Sequence, residues 1–248
     1  MSKIEEYRQI LQSLEIWDDY LYKESGLPGP RGNLELAQAV AVQGNLSIFE
    51  RYLQYSPEIA PTNDPGEFLA FCGVVGLGRL LAEEQKEHLS VIRKFASDPR
   101  WRLREAVAMA LQRWGDVDLS ALIEEMQIWS AGNLYEKRAA IAALCEPRLL
   151  KNKAEVHEVL LILEEVTKSI KLATDRRSDE YVALRKGLAY CWSVAVVANP
   201  ESGKQMMGKW LEDSDKDISW IMRENLKKNR LIRMDSAWVQ VCLEKSYW

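Results

Sequence analysis

DPRWRLREAVAMALQRWG, residues 98–115, decides how the chain is read. After Asp98-Pro99 come small and apolar residues at 106, 107, 110 and 111, the three- and four-residue spacing that lays one apolar stripe along an α-helix. Asp98 is the expected cap of its first turn, and Pro99 suits a first helical position. The phrase recurs as GNLYEKRAAIAAL from residue 132, DEYVALRKGLAYCWSV from 179 and DKDISWIMRENLKKN from 215. Each copy carries an arginine in the same slot, at 104, 138, 185 and 223, in steps of 34, 47 and 38 residues. Repeats of that length are pairs of helices that bury each other's apolar faces.

Each phrase follows another amphipathic stretch: Glu84 to Ala96, Leu119 to Trp129, Val156 to Ile170 and Pro200 to Leu211. GEFLAFCGVVGLGRLL, from residue 66, fits the same slot with Cys72 in place of the arginine, and NLELAQAVAVQG, from residue 33, reads as an earlier degenerate copy. Before them, Ser2-x-x-Glu5 followed by Ile4, Tyr7, Leu11, Leu14, Trp17 and Leu21 predicts one amphipathic helix over residues 2–24. Leu27-Pro28-Gly29-Pro30 and the three prolines between Ser56 and Gly66 break the pattern. The expected fold is all-α, a right-handed α-α superhelix of five or six HEAT-like (armadillo-type) pairs. It forms one continuous domain over 1–248, with an N-terminal helix at 1–24, degenerate repeats at 34–82 and clearer ones at 84–248.

Composition narrows the function classes. The chain has 248 residues, 47% of them hydrophobic, with 33 basic and 37 acidic side chains and a formal charge of -4. Bulk attraction to nucleic acid or anionic lipid is therefore absent, and any DNA-facing surface must be local. Residues 1–95 carry 9 basic and 14 acidic side chains, the remainder 24 and 23. The opening MSKIEEYRQI lacks the layout of a secretion signal, and the longest uncharged stretch, Gly187 to Pro200, falls short of the roughly 18 residues of a membrane span. A cytoplasmic monomer with no membrane partner is expected. Cys72, Cys145, Cys191 and Cys242 stand singly in apolar patterns with only His88 and His157 beside them in the sequence, which predicts core thiols and no metal site. The glycines of Cys72-Gly-Val-Val-Gly-Leu-Gly78 follow no strand, so they predict close helix packing and no dinucleotide loop.

Over residues 84–230 the phrases resemble the HEAT-like DNA-alkylation-repair superfamily, the AlkD- and AlkC-like DNA glycosylases. That family writes W-x-x-x-D, then R-A-A-I about 35 residues on, then K-A-x-G-W-x-L-R ahead of Asn-Pro. Here the counterparts are Trp101 to Glu105, Arg138 to Ile141 and Lys186 to Ser193 ahead of Asn199-Pro200. The resemblance implies Glu105 at the catalytic carboxylate, Trp101 and Tyr190 as the aromatics against the base, and Arg138 on DNA. It implies excision of N3- or N7-alkylated purines, which are cationic leaving groups. A carboxylate stabilises the oxocarbenium-like sugar while aromatic faces attract the charge, with neither metal nor cofactor.

The residues leave alternatives open. Trp101 also reads as an aromatic wedged between repeats, and Glu105 as the partner of a surface ion pair with Arg102 or a residue one turn on. Arg104, Arg138, Arg185 and Arg223 read either as an inter-repeat ladder with acidic side chains or as a phosphate-binding stripe. Lys137, Arg148, Lys151, Lys153, Lys186, Lys204, Lys209, Lys227, Lys228, Arg230 and Arg233 would strengthen that stripe. Duplex DNA carrying alkylated bases is one expected partner. A protein gripped by a non-catalytic HEAT-type scaffold is the other.

Overall fold

A computed structural model of the protein describes residues 1–245. Among these residues it is all-helical, with no strand: fifteen α-helices and one 3-10 turn. They form two compact units, dividing between Val117 and Asp118.

The first unit holds α1 (Lys3–Ser13), α2 (Asp18–Glu24), α3 (Leu34–Gln43), α4 (Leu46–Tyr52), α5 (Pro65–Ala82), α6 (Leu89–Phe95) and α7 (Trp101–Gly115). Helix α5 is its axis, with α2, α3, α4 and α7 packed around it and fifteen of its own residues buried. It is apolar and long enough to cross a membrane, yet 83% of that stretch is buried inside the unit, which is what its composition serves here. The glycines of the Cys72–Gly78 run do pack helices closely. A Cβ on Gly78 would lie 2.4 Å from the Cα of Ala110 on α7, and one on Gly76 would lie 2.4 Å from the Phe49 ring of α4.

Two local expectations are corrected. The helix expected over 2–24 is two helices, because the chain becomes extended at Leu14 and the Trp17 indole turns back to donate to the Leu11 carbonyl at 2.9 Å. An apolar spacing that continues through Trp17 conceals this break. Asp98 does not cap α7: the cap position is Arg100, and Asp98 Oδ1 accepts from the Arg100 backbone N–H at 2.8 Å. The Arg100 side chain closes a nearly dry ion pair on the same carboxylate, Nε to Oδ1 at 2.9 Å and NH2 to Oδ2 at 2.8 Å. Pro99 accordingly lies outside the helix.

The second unit holds α8 (Leu119–Ser130), α9 (Leu134–Leu144), α10 (Lys153–Ile170), α11 (Asp179–Ala198), α12 (Pro200–Leu211), α13 (Lys216–Leu226), α14 (Asn229–Met234) and α15 (Ser236–Lys245). Sequence-adjacent helices pair, α8 with α9, α10 with α11 and α12 with α13. Alternate helices also pack, α8 on α10 on α12 and α9 on α11 on α13, so the phrases around Arg138, Arg185 and Arg223 line up as one layer. Asn or Asp side chains cap α8, α9, α10, α12 and α13, and Ser178 caps α11, satisfying N–H groups the first turn leaves open. Between α11 and α13 the buried Asn225 amide donates to the Leu188 carbonyl and accepts from the Ser193 N–H at 2.8 Å. All four cysteines are buried and outside any disulfide, and His157 is exposed on α10.

Candidate functional site

In the first unit, Trp101, Glu105 and Met109 recur at four-residue intervals and so share one face of α7. That face walls a cavity of about 220 Å³. Phe68 and Phe71 of α5 form the opposite wall, their rings stacked with centroids 6.3 Å apart and planes 10° from parallel. Arg31, Gly32, Leu34 and Arg102 complete it. Two of the residues singled out from the sequence, Trp101 and Glu105, are thus brought to one cavity. The phenylalanines opposite are additions that only packing of α5 on α7 reveals.

The first turn of α7 is held by its arginines. Arg100 donates through NH1 to the carbonyls of Tyr55 and Ala60 at 2.8 and 3.0 Å, tying the helix start to the proline-rich loop. Arg102, only 4% exposed, donates through NH1 to Glu67 Oε2 at 3.1 Å and through NH2 to the Gly29 carbonyl at 2.5 Å. Its guanidinium lies 4.4 Å from the Trp101 ring centroid, a cation–π contact on that ring. Trp101 remains 43% exposed. Glu67, fully buried, also accepts from the Asn63 N–H at 2.8 Å, while its Oε1 and the Arg102 Nε lack partners. Arg102 therefore spends its charge on Glu67, so the ion pair between Arg102 and Glu105 is not what the structure shows. Arg104 NH1 donates to the carbonyls of Asp98 and Pro99 at 2.6 and 2.9 Å, bracing the loop that precedes its own helix.

The cavity is lined by aromatic rings, the Glu105 side chain and Arg31, while Arg102 is held to Glu67. Such a lining suits a flat heterocycle with positive character. At about 220 Å³ it lies below the roughly 300–1,000 Å³ of pockets for drug-sized ligands, which suits a single ring system. Among the described residues no group of three or more His, Cys, Asp or Glu could hold a metal ion.

The second unit holds the other candidates. Arg185 on α11 donates to Asp217 Oδ1 on α13 at 2.5 Å and stacks 4.4 Å from the Trp220 ring centroid. Asp217 also accepts from the Tyr181 hydroxyl at 2.6 Å and from Arg176, whose NH2 donates to Asp215 at 2.7 Å. Hydrogen bonding to Arg176 first of all lowers the Asp215 carboxyl. For Asp217 burial pushes upward, but the hydrogen bonds from Tyr181, Arg185 and Arg176 outweigh it and hold the carboxyl low. In this slot the recurring arginine is a tie between neighbouring helices. Arg138 lies half-buried on α9 and Arg223 half-buried on α13, while the exposed Arg148 pairs with Glu146 at 3.3 Å.

Tyr190 is 44% exposed on α11. The Arg230 guanidinium lies 4.5 Å from its ring centroid and donates to its hydroxyl at 2.6 Å, and the Lys228 ammonium lies 5.9 Å from the ring. Lys186, exposed one turn earlier, shares this face of α11. The acidic partner Asp217, 32 residues past Arg185, was signalled only as one first-turn carboxylate among several. Comparison with known protein families, characterised proteins and solved structures finds no match for the chain.

Proposed function

We propose that the protein binds duplex DNA carrying N3- or N7-alkylated purines and takes the cationic base into the cavity of the first unit. The observation that carries this is the meeting of Trp101 and Glu105 with the stacked Phe68 and Phe71 around one cavity of single-heterocycle size. The resemblance to the alkylation-repair superfamily supplies the substrate class. The alternating packing in the second unit supports reading the helix pairs as HEAT-like repeats of a right-handed superhelix. In excision, the Glu105 carboxylate would stabilise positive charge developing on the sugar as the glycosidic bond to the base lengthens. The alkylated base leaves as a neutral molecule with the electrons of the glycosidic bond, and water adds to the sugar cation and releases a proton to solvent.

The test is equilibrium binding of a labelled duplex, alkylated and unmodified, at low salt. Tighter binding of the alkylated duplex, with the preference lost in a Trp101→Ala variant, supports the reading. Absence of binding to either duplex overturns it. A second reading, a non-catalytic helical scaffold for a protein partner, is favoured by the Arg185–Asp217 tie and by the bracing of Arg104 against its own loop. Both make the recurring arginines structural, and failure of DNA binding would leave that reading standing.

A further inference from the structure

Several cations of the second unit are paired with carboxylates. Arg176 and Arg185 share Asp215 and Asp217, Lys171 meets Asp213, Lys204 meets Asp235, and Lys227 meets Glu224. Arg230 and Lys228 gather at the exposed Tyr190 ring, with Lys186 one turn away on the same face of α11, and among the described residues none of the three has a carboxylate within ion-pairing distance. Like charges on one face without neutralisation repel one another, and an anion removes that cost.

The ring decides which anion. Tyr190 carries Arg230 against its face and accepts a hydrogen bond from the guanidinium, which fixes the plane of the fork. The remaining guanidinium N–H groups stay available, as does the tyrosine's own hydroxyl proton. A fixed guanidinium fork matches two oxygens of one phosphate, while the ammonium groups of Lys228 and Lys186 serve neighbouring phosphates as point charges.

We infer that Tyr190 is a positioning residue that orients Arg230 and Lys228, with Lys186, into a clamp for successive phosphates of duplex DNA. This face therefore grips the backbone and is indifferent to sequence and damage. The inference rests on the DNA reading proposed above and deepens it by assigning the phosphate contacts.

The experiment is fluorescence anisotropy of an unmodified labelled duplex titrated with the full chain over a series of salt concentrations. Arg230→Gln, Lys228→Gln and Lys186→Gln should each weaken binding several-fold. Each should also flatten the slope of log affinity against log salt by about 0.9, the contribution of one phosphate. Lys227→Gln, whose ammonium is paired with Glu224, should change neither. Tyr190→Phe should weaken binding slightly, because the ring stays under the guanidinium but the hydrogen bond that fixes its plane is gone, whereas Tyr190→Leu should weaken binding further with the melting temperature unchanged. If wild type binds duplex but these variants keep its affinity and slope, the clamp is wrong and the DNA reading survives. If wild type binds no duplex, the DNA reading itself fails and takes the clamp with it. Capture by polyglutamate or by phosphatidylserine vesicles in preference to duplex overturns the assignment to DNA.

Discussion

Removing the Glu67 carboxylate should cost the first unit more than almost any other single substitution. Glu67 is fully buried, and its Oε2 is what neutralises Arg102, itself 4% exposed, while also accepting the Asn63 N–H. Glu67→Ala leaves a guanidinium in the interior with only the Gly29 carbonyl and the Trp101 ring to stabilise it. Deleting one partner of a buried pair destabilises by about 3–5 kcal/mol, a large share of the 5–15 kcal/mol that holds a typical domain folded. Deleting both is different: Glu67→Leu with Arg102→Met removes the stranded charge, the unsatisfied Oε1 and the unsatisfied Nε together. The double variant should stay within about 1–2 kcal/mol of wild type, since apolar replacement of a buried pair is often neutral. Urea unfolding followed by circular dichroism at helical wavelengths measures both. A Glu67→Ala chain within 1 kcal/mol of wild type, or a double variant as unstable as the single, would refute the placement of this pair at the base of α7.

Gly78→Ala should destabilise by about 1–3 kcal/mol, because the added Cβ meets the Ala110 backbone at 2.4 Å and neither helix can yield cheaply; thermal unfolding checks this. The low carboxyls of Asp215 and Asp217 give the second unit stability that is fully present above the ordinary carboxylate range and is lost as pH falls through their depressed values. Denaturant midpoints from pH 7 down to pH 3 should therefore decline in wild type and decline less in Asp217→Asn, which no longer has that charge to lose. Equal pH dependence in the two proteins would contradict the assignment.

The helices α7, α9, α11 and α13 were legible because each phrase keeps its apolar spacing for three or more turns. The Asn, Asp and Ser caps marked where many helices begin. What escaped reading were side chains that satisfy backbone or charge outside their own element. Trp17 continues an apolar stripe on paper but caps the Leu11 carbonyl, and Asp98 looks like a helix cap but is taken by Arg100. Trp101 and Glu105 could be placed on one face from their spacing alone. The wall opposite them could not, since Phe68 and Phe71 precede them by some thirty residues and reach the cavity only because Gly78 lets α5 approach α7. Tyr190 was singled out only through the family resemblance, as an aromatic against the base, and the guanidinium on its face comes from α14.

The most direct measurement is release of 7-methylguanine or 3-methyladenine from alkylated duplex under single-turnover conditions, with wild type and Glu105→Gln side by side. Glutamine keeps the shape and reach of the side chain and removes its charge, and loss of one preorganised group opposite developing charge costs on the order of 10²-fold or more. Wild type should release the base, and the variant should release it at least 100-fold more slowly while binding duplex as before. An inactive wild type, or a variant as fast as wild type, would contradict a base-excising cavity at Trp101 and Glu105.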